Sequence, residues 1–477
     1  MTTHDTTQDS SWGDLLSGKN ALRSIALSGG VALHAINIFI STTILPTVVK
    51  EIGGLELYAW NTTLFVVASI LGSALTSKLL QSAGPRAAYA VATLLFLAGS
   101  LLCALAGNMP IMLLGRTVQG LGGGLMLALC YSMIQLVFEE KLWPRAMALV
   151  SGMWGAATLI GPALGGVFAE LGIWRAAFGS LVPVALAYLA LTSVALPKRN
   201  SHQAPRSRLP LRQLGLLAGA VLAVCAGSGS SLPLWNLAGI GAALLMVWLL
   251  VRTESRGATR LLPRDALKRG APLCALYGTM GLLMIGMSAE IFVPYFLQTL
   301  HGQSPLVSGY LAALMAAGWT VSEIISSSWK GDAVRRAIIG GPLLVLAGLV
   351  LLAIFAPLEG GGWLTLAPIC IALGLLGFGI GLGWPHLLTR VLQVAGAVDQ
   401  EAAASSITTV QLFATALGAA LAGMIANLAG LNDPGGVAGA ASAARWMFAL
   451  FALAPVLALL AALRAARGSP APLAAPV

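Results

Sequence analysis

Long apolar runs alternate with short polar connections from residue 24 to residue 465. A helix needs roughly 20 apolar residues to cross about 30 Å of hydrocarbon, and fourteen runs have that length. The runs are too long for the strands of a membrane barrel and lack an alternating pattern, so they predict helices with internally satisfied backbones. They cover 24–47, 58–80, 86–107, 109–137, 146–170, 174–196, 213–229, 235–251, 272–299, 305–328, 336–357, 363–389, 402–429 and 445–465.

The seventh run is the least secure, because residues 226–231 are rich in glycine and serine. If the seventh and eighth runs fail to span as a pair, twelve helices remain and the orientation of the others is unchanged. The composition supports a membrane protein in either case: 57% of the 477 residues are hydrophobic and 9% are charged, too much apolar surface for one soluble core.

Basic residues fall on one side of this arrangement. With a cytoplasmic amino terminus, 23 of the 27 lysines and arginines lie in inner segments, and only Lys50, Arg175 and Arg445 lie outside. This is the asymmetry that short cytoplasmic loops show. We therefore expect a multi-pass protein of the inner (plasma) membrane with both termini in the cytoplasm. The first 22 residues are polar and the first run has full length, so we expect an uncleaved insertion signal.

The net charge of +10 does not indicate nucleic-acid binding, because the basic residues are spread over loops that face anionic lipid. The five cysteines each lie in a different run, with no metal spacing and no apparent disulfide pair, and we interpret them as small core residues. The sequence contains no ATP-binding loop, catalytic triad or metal cluster. We therefore expect no enzymatic activity, no metal and no cofactor.

Two motifs in the apolar runs bear on function. The fourth run reads IMLLGRTVQGLGGGLML and contains Arg116, Gln119 and Gly120; a guanidinium inside a span is costly and therefore marks a functional pathway. The fifth run contains a proline that removes a backbone donor and glycines that bare one helix face. These residues are Gly155, Gly161, Pro162, Gly165 and Gly166.

Together the two motifs resemble those of the major facilitator superfamily of secondary transporters. The longest inner connections, 197–212 and 252–271, flank the seventh and eighth runs, which resembles the fourteen-helix drug:proton antiporter (multidrug efflux) branch. The resemblance implies an all-α integral membrane fold of two six-helix bundles plus a two-helix insert. The expected divisions are a cytoplasmic tail at 1–23, bundles at 24–196 and 272–467, linkers with the extra helices at 197–271, and a disordered tail at 468–477.

The resemblance also implies roles for individual residues. Arg116 would face the first helix and join the coupling network, and the fifth-helix motif is associated with antiport. The alternatives are a structural arginine fixed by carbonyl groups of a neighbouring helix, and a kinked packing helix in a symporter.

The chain departs from the family pattern at two places. In the loop after the second helix, Gln81, Gly84 and Arg86 occupy the region where an aspartate usually forms a charged pair, so the inner gate must be held differently. In the first helix, Asn37 occupies the position of an aspartate about nine residues before a proline. His34, one turn earlier, is a candidate substitute because histidine titrates near neutral pH, although a hydrogen-bonded lone polar residue is the plainer interpretation.

Two carboxylates lie well inside runs, Glu290 in the ninth and Glu323 in the tenth. Hydrocarbon favours the neutral form of a carboxyl group, which suits a proton carrier; either residue is alternatively a fixed partner of Arg116, Lys330 or Arg335. Trp154, Trp319 and Trp384 lie inside runs and line a cavity or pack in the core. Six aromatic residues at outer span ends predict an interfacial belt. They are Tyr58, Trp60, Trp174, Trp235, Trp363 and Trp446.

The sequence therefore predicts a monomeric secondary transporter that exports small amphipathic or aromatic compounds in exchange for protons. Its partners would be a small-molecule substrate, protons and the lipid bilayer. The scarcity of acids favours neutral, zwitterionic or anionic substrates over dications. A proton-coupled importer of a nutrient or siderophore, and a membrane sensor or scaffold, remain as alternatives.

Overall fold

The computed structural model describes residues 12–198, 210–229, 233–256, 260–268 and 270–467, and these ranges contain helices and no strands. The predicted tail at 468–477 and most of the linker at 197–212 lie outside the described residues. Thirteen described segments are long and apolar enough to cross a membrane, and one of them, Leu55–Ala104, turns back at Gly84 and holds two spans. The prediction of fourteen helices is confirmed.

The first six helices are α1 (Gly18–Ile52), α2 (58–83), α3 (85–104), α4 (Met109–Val137), α5 (Trp143–Glu170) and α6 (Trp174–Ala195). Gly84 has φ 79°, a left-handed conformation that favours glycine, and Pro85 then begins α3. The Asn108 side chain caps α4 by accepting a hydrogen bond from the Ile111 amide at 3.0 Å. The helix α1 starts at Gly18, inside the tail that the sequence predicted for 1–23.

The remaining helices are α7 (Leu211–Ser228), α8 (Pro233–Arg256), α9 (Pro272–Thr299), α10 (Pro305–Ser326), α11 (Asp332–Phe355), α12 (Trp363–Ala395), α13 (Ala402–Leu428) and α14 (Gly436–Ala465). The insecure seventh run is thus a helix. A 3-10 segment, Ser288–Phe292, interrupts α9. The Ser304 hydroxyl caps α10 by accepting from the Val307 amide at 3.3 Å.

Contacts between helix ends show that α4 and α6 run in the direction opposite to α1. At one end, Arg23 donates to the Val137 carbonyl at 2.9 Å, joining the start of α1 to the end of α4. At the other end, Arg175 at the start of α6 bonds to Glu51 at the end of α1. We call the end that contains Arg23 and Val137 the inner end and the end that contains Glu51 and Arg175 the outer end; their orientation in the membrane remains a prediction.

Glycines allow several helix pairs to approach closely. A Cβ atom at Gly120 or Gly124 would collide with the α2 backbone at Phe65 or Ser69, and one at Gly377 would collide with the α10 backbone at Met315. Helices that lack side chains on one face pack through their backbones in this way.

The predicted aromatic belt is wrong for two of its members. Tyr58 and Trp174 are buried, because the Tyr58 ring stacks on Phe292 and the Trp174 indole donates to Glu51 at 2.6 Å. Trp235, Trp363 and Trp446 are more than half exposed, as expected for side chains at a membrane interface.

The hairpin of α7 and α8 packs beside α2 and α13. The Asn427 amide near the end of α13 donates to the Ser228 carbonyl at 3.0 Å and to the Glu56 carbonyl before α2 at 2.9 Å. Residues of α7 also join an apolar cluster that includes Phe65 of α2 and Ala416 of α13. The hairpin therefore lies along the line where α2 meets α13.

Candidate functional site

Helices α1 and α5 meet α10 at the outer end. A Cβ atom at Gly309 of α10 would lie 2.7 Å from the Thr43 methyl group and 3.1 Å from Cβ of Pro162, and one at Gly166 would collide with Leu306. The Tyr310 hydroxyl donates to the Leu159 carbonyl at 3.1 Å. Four residues of the fifth-helix motif also pack here: Pro162 and Gly166 against α10, and Gly161 and Gly165 against α1. The motif thus forms a tight junction of α1, α5 and α10.

Aromatic side chains close the outer end on the opposite side. The Tyr58 ring of α2 stacks on Phe292 of α9 with centroids 4.7 Å apart and meets Tyr295 edge-on at 5.7 Å. Phe292 in turn stacks on Phe296 at 6.0 Å. These four residues, which we call the outer aromatic cluster, join the N-terminal and C-terminal parts of the chain and exclude solvent between them.

Helices α5 and α10 separate toward the inner end. Gly155 lies about two turns inward of Pro162 on the same face of α5, and no described atom outside its own helix backbone and chain neighbours lies within 4 Å of the position its Cβ would take. Gly152, nearly one turn further inward, is equally open. On α10, Thr320 lies about three turns inward of Gly309 on the same face and is exposed. The junction therefore closes the outer end, and we interpret the two open faces as the walls of a cleft between α5 and α10 that opens inward.

The Arg116 side chain is buried among α1 to α4. Its Nη1 donates to Gln119 Oε1 at 2.6 Å, its Nε donates to the Asn61 carbonyl at 3.4 Å, and the guanidinium carbon lies 4.1 Å from the centre of the Phe65 ring. Gln119 donates onward to the Ser100 hydroxyl of α3 at 2.8 Å. Among the described residues its hydrogen bonds go to α2 and α4, and Asn61 links it to the first helix by accepting from Ser41 at 2.8 Å. The coupling role that the resemblance implies for Arg116 stays a prediction.

Several buried polar atoms around this network have no hydrogen-bond partner among the described residues. They are Nδ1 of His34, both amide atoms of Asn37 and Nδ2 of Asn61. The His34 ring stacks on the Phe65 ring, with centroids 5.3 Å apart, and lies edge-on to Trp154 at 6.1 Å. Both residues keep atoms without a partner among the described residues, and the choice between a hydrogen-bonded polar residue and a proton relay stays a prediction.

Glu290 occupies the 3-10 segment of α9, two residues before Phe292 of the outer aromatic cluster. Its side chain is partly buried. Among the described residues, no basic group forms an ion pair with it, and the same holds for Arg116. The alternative of a fixed Glu290–Arg116 pair is therefore wrong in this structure. A mid-helix 3-10 stretch often marks a functional hinge, so Glu290 lies where α9 is able to bend.

Glu323 accepts a hydrogen bond from the Trp319 indole at 3.0 Å, one turn away on α10. It lies on roughly the same side of α10 as Gly309, about four turns further inward, and therefore near the inward cleft. Its predicted ion pairs with Lys330 or Arg335 do not form among the described residues. Trp319 meets Trp384 of α12 edge-on at 5.2 Å; Trp384 is buried in the core, whereas Trp319 is partly exposed.

The turn between α2 and α3 contains or borders the three residues predicted for the inner gate. Gln81 is exposed, Gly84 makes the turn, and Arg86 donates to the Leu196 carbonyl at 3.0 and 3.2 Å. This bond ties α3 to the end of α6 within the N-terminal part. The gate role predicted for these three residues stays a prediction.

Sequence reasoning missed Ser41, Asn61, Ser100 and Tyr58. The three polar residues carry no charge and lie far from Arg116 in sequence, so no spacing rule selects them. A signal existed for Asn61, because an amide within an apolar run requires hydrogen-bond partners.

The motifs and the fold agree with comparisons to known proteins. The profile of the Major Facilitator Superfamily matches residues 27–419. The chain belongs to this superfamily. It is 38% identical over 438 residues to a probable multidrug-efflux transporter of Mycobacterium tuberculosis strain H37Rv, a match that covers 90% of this chain and 92% of the relative. It is 27% identical over 388 residues to the multidrug transporter MdtP of Bacillus subtilis strain 168, covering 79% and 70%.

Solved structures show the same fold at low sequence identity. A POT family transporter in complex with 5-aminolevulinic acid matches with a TM-score of 0.66 and 12% identity, covering 96% of this chain and 98% of the other. A D-xylose-proton symporter matches with a TM-score of 0.62 and 15% identity, covering 94% and 97%. The protein is therefore a multi-pass membrane transporter of a small-molecule substrate.

Proposed function

We propose that this transporter exports small amphipathic or aromatic compounds from the cytoplasm and uses proton entry as its driving force. The efflux names of its relatives support the direction. The observation that carries the coupling is Glu290, a partly buried carboxylate without an ion-pair partner among the described residues, positioned in the break of α9. Both termini and the open cleft would face the cytoplasm, in accord with the charge asymmetry.

The outer aromatic cluster connects Glu290 to the contacts that close the outer end. Protonation removes the charge of a carboxylate and with it the cost of burying that charge. Phe292 follows Glu290 within the same 3-10 segment. A change in how deeply the Glu290 side chain is buried would therefore move the Phe292 ring, which stacks on Tyr58. Protonation would thereby favour either the closed or the open state of the outer end, and such a shift is the requirement for alternating access.

Each part of the chain has a role in this proposal. Residues 24–196 and 272–467 would move as two bundles, with the hairpin within 197–271 beside them. The junction of α5 with α10 would act as the outer gate, and Arg116 with His34 and Asn37 would form the polar site in the N-terminal bundle. Glu323, Trp319 and Trp154 would line the inward cleft.

Proteoliposomes test the proposal. With ethidium as the transported probe, a pH gradient should drive uphill transport by the wild type, and Glu290→Gln should abolish it while leaving ethidium binding and downhill exchange nearly intact, since glutamine imitates the protonated acid. Glu323→Gln is the matched control and should retain coupling. Wild-type coupling in Glu290→Gln would transfer the role to Glu323 or His34, and wild-type coupling in Glu290→Gln, Glu323→Gln and Arg116→Ala alike would refute proton coupling through these groups.

A further inference from the structure

The positive charge of Arg116 has no negative partner within the described part of the chain. The guanidinium is 2% exposed, and its two hydrogen-bond acceptors are a neutral carbonyl oxygen and a neutral amide oxygen. Its Nη2 has no acceptor among the described residues. An arginine has five N–H donors and keeps its charge, so a purely structural role predicts a fuller set of acceptors.

Unused donors lie beside this charge. Asn61, whose carbonyl accepts from Arg116, has a fully buried Nδ2 without a partner. Asn37 lies one turn before Ser41, which bonds to Asn61, and both of its amide atoms are buried and unpartnered. The Phe65 ring packs against both Arg116 and His34. Among the described residues, the site therefore combines one fixed positive charge with amide donors and contains no carboxylate.

We propose that this site, formed by Arg116, Asn37 and Asn61, binds a monovalent anionic group, and that its usual occupant is the carboxylate of an amphipathic substrate. The inference rests on the proposed function as a transporter of such compounds. A bound carboxylate would accept hydrogen bonds from the free guanidinium nitrogen and the two amides, and it would neutralise the buried charge. A free halide ion carries the same charge and is the alternative occupant of the site.

Access to the site requires a movement of α1. That helix covers the site. It packs on Gly123 of α4 and on Gly161 and Gly165 of α5, which present no side chain to it, and α1 side chains occupy the space at these glycines. The fifth-helix motif thus gives α1 a smooth face on which to move, and binding of an anion would favour the positions of α1 that surround it.

Binding to the purified, full-length protein in detergent tests the proposal, with 2-naphthoate and its uncharged analogue 2-naphthamide as probes in chloride-free buffer. The wild type should bind the naphthoate at least about tenfold more tightly. Arg116→Met should bring the two affinities within about threefold of each other, Arg116→Lys should keep part of the preference, and Asn37→Leu should weaken only the naphthoate. Lys141→Met, which removes an exposed positive charge outside the site, is the control and should retain the wild-type preference.

A chloride titration separates the two sources of the anion. Competition by chloride against naphthoate in the wild type, lost in Arg116→Met, would show that the site also takes a free halide. Equal binding of the two probes by the wild type, or an unchanged preference in a folded Arg116→Met protein, overturns the proposal. If Arg116→Met does not fold, the proposal is tested by the wild-type preference for naphthoate and by the effect of Asn37→Leu on naphthoate affinity. Ethidium transport driven by a pH gradient is measured separately, so the anion site and proton-coupled export are able to fail independently.

Discussion

A single methyl group at Gly166 is predicted to open the outer end of the molecule. A Cβ atom there would collide with the Leu306 backbone and lie 2.8 Å from the Leu306 Cδ1 atom, so Gly166→Ala forces α5 and α10 apart at their junction. Overpacking of this kind costs about 1–3 kcal/mol. Because the strain exists only while the outer end is closed, the equilibrium should shift toward the outward-open state by roughly 5- to 150-fold.

The matched control is Gly155→Ala on the same helix. No described atom outside its own helix backbone and chain neighbours lies within 4 Å of a Cβ there, while the gain in helix propensity, up to about 1 kcal/mol, is similar at both positions. The reporter is Thr43→Cys, whose buried side chain packs on Gly309 at the junction, and the assay is the rate of labelling by an impermeant thiol reagent applied outside cells. Equal labelling rates in the Gly166→Ala and Gly155→Ala backgrounds would refute the interpretation of this junction as an outer gate.

Two further predictions concern the topology and the turn after α2. Cysteines at Gly229 and Gly362 should react with the impermeant reagent from outside, and one at Ser328 should not. Gly362 is preferred to its neighbour Gly361, where a Cβ would lie 2.5 Å from the His301 carbonyl oxygen. Labelling of position 229 only from the cytoplasmic side would return the count to twelve spans. Gly84→Ala should destabilise the protein by about 1–3 kcal/mol, because φ 79° with ψ 170° is a conformation essentially restricted to glycine. Gly107 has an ordinary φ and open space around it, so Gly107→Ala should leave the thermal unfolding temperature nearly unchanged. Equal stability of the two variants would contradict the turn geometry.

The sequence predicted the helices well because a membrane span has a simple requirement, a continuous apolar run. Its errors lie at helix ends. The first helix extends to Gly18–Ile52 beyond the predicted 24–47, since polar residues such as Asn20 and Lys50 continue a helix after it leaves the hydrocarbon. The last begins at Gly436 rather than 445, because Arg445 lies on an exposed face of α14 and does not mark its boundary.

The site was harder to predict than the fold. Arg116 and Glu290 were identifiable, because a charge within an apolar run stands out whatever it contacts. Their relationship was not, since the pairing of a guanidinium with a carboxylate depends on which helix faces point toward each other. Tyr58 shows the same limit: an amphipathic aromatic residue at a span end suits either a membrane interface or a gate, and only its stacking on Phe292 separates the two.

The most direct test of proton-coupled export is the pH change inside proteoliposomes during substrate flow. Vesicles loaded with ethidium, which keeps its charge throughout the working pH range, are diluted into ethidium-free buffer of the same pH, and a trapped dye reports the lumenal pH. Exchange of protons for ethidium predicts that the lumen becomes acidic in wild-type vesicles and stays unchanged in Glu290→Gln and protein-free vesicles. An alkaline lumen would establish cotransport in place of exchange, and protein-dependent ethidium release without any pH change would contradict proton coupling.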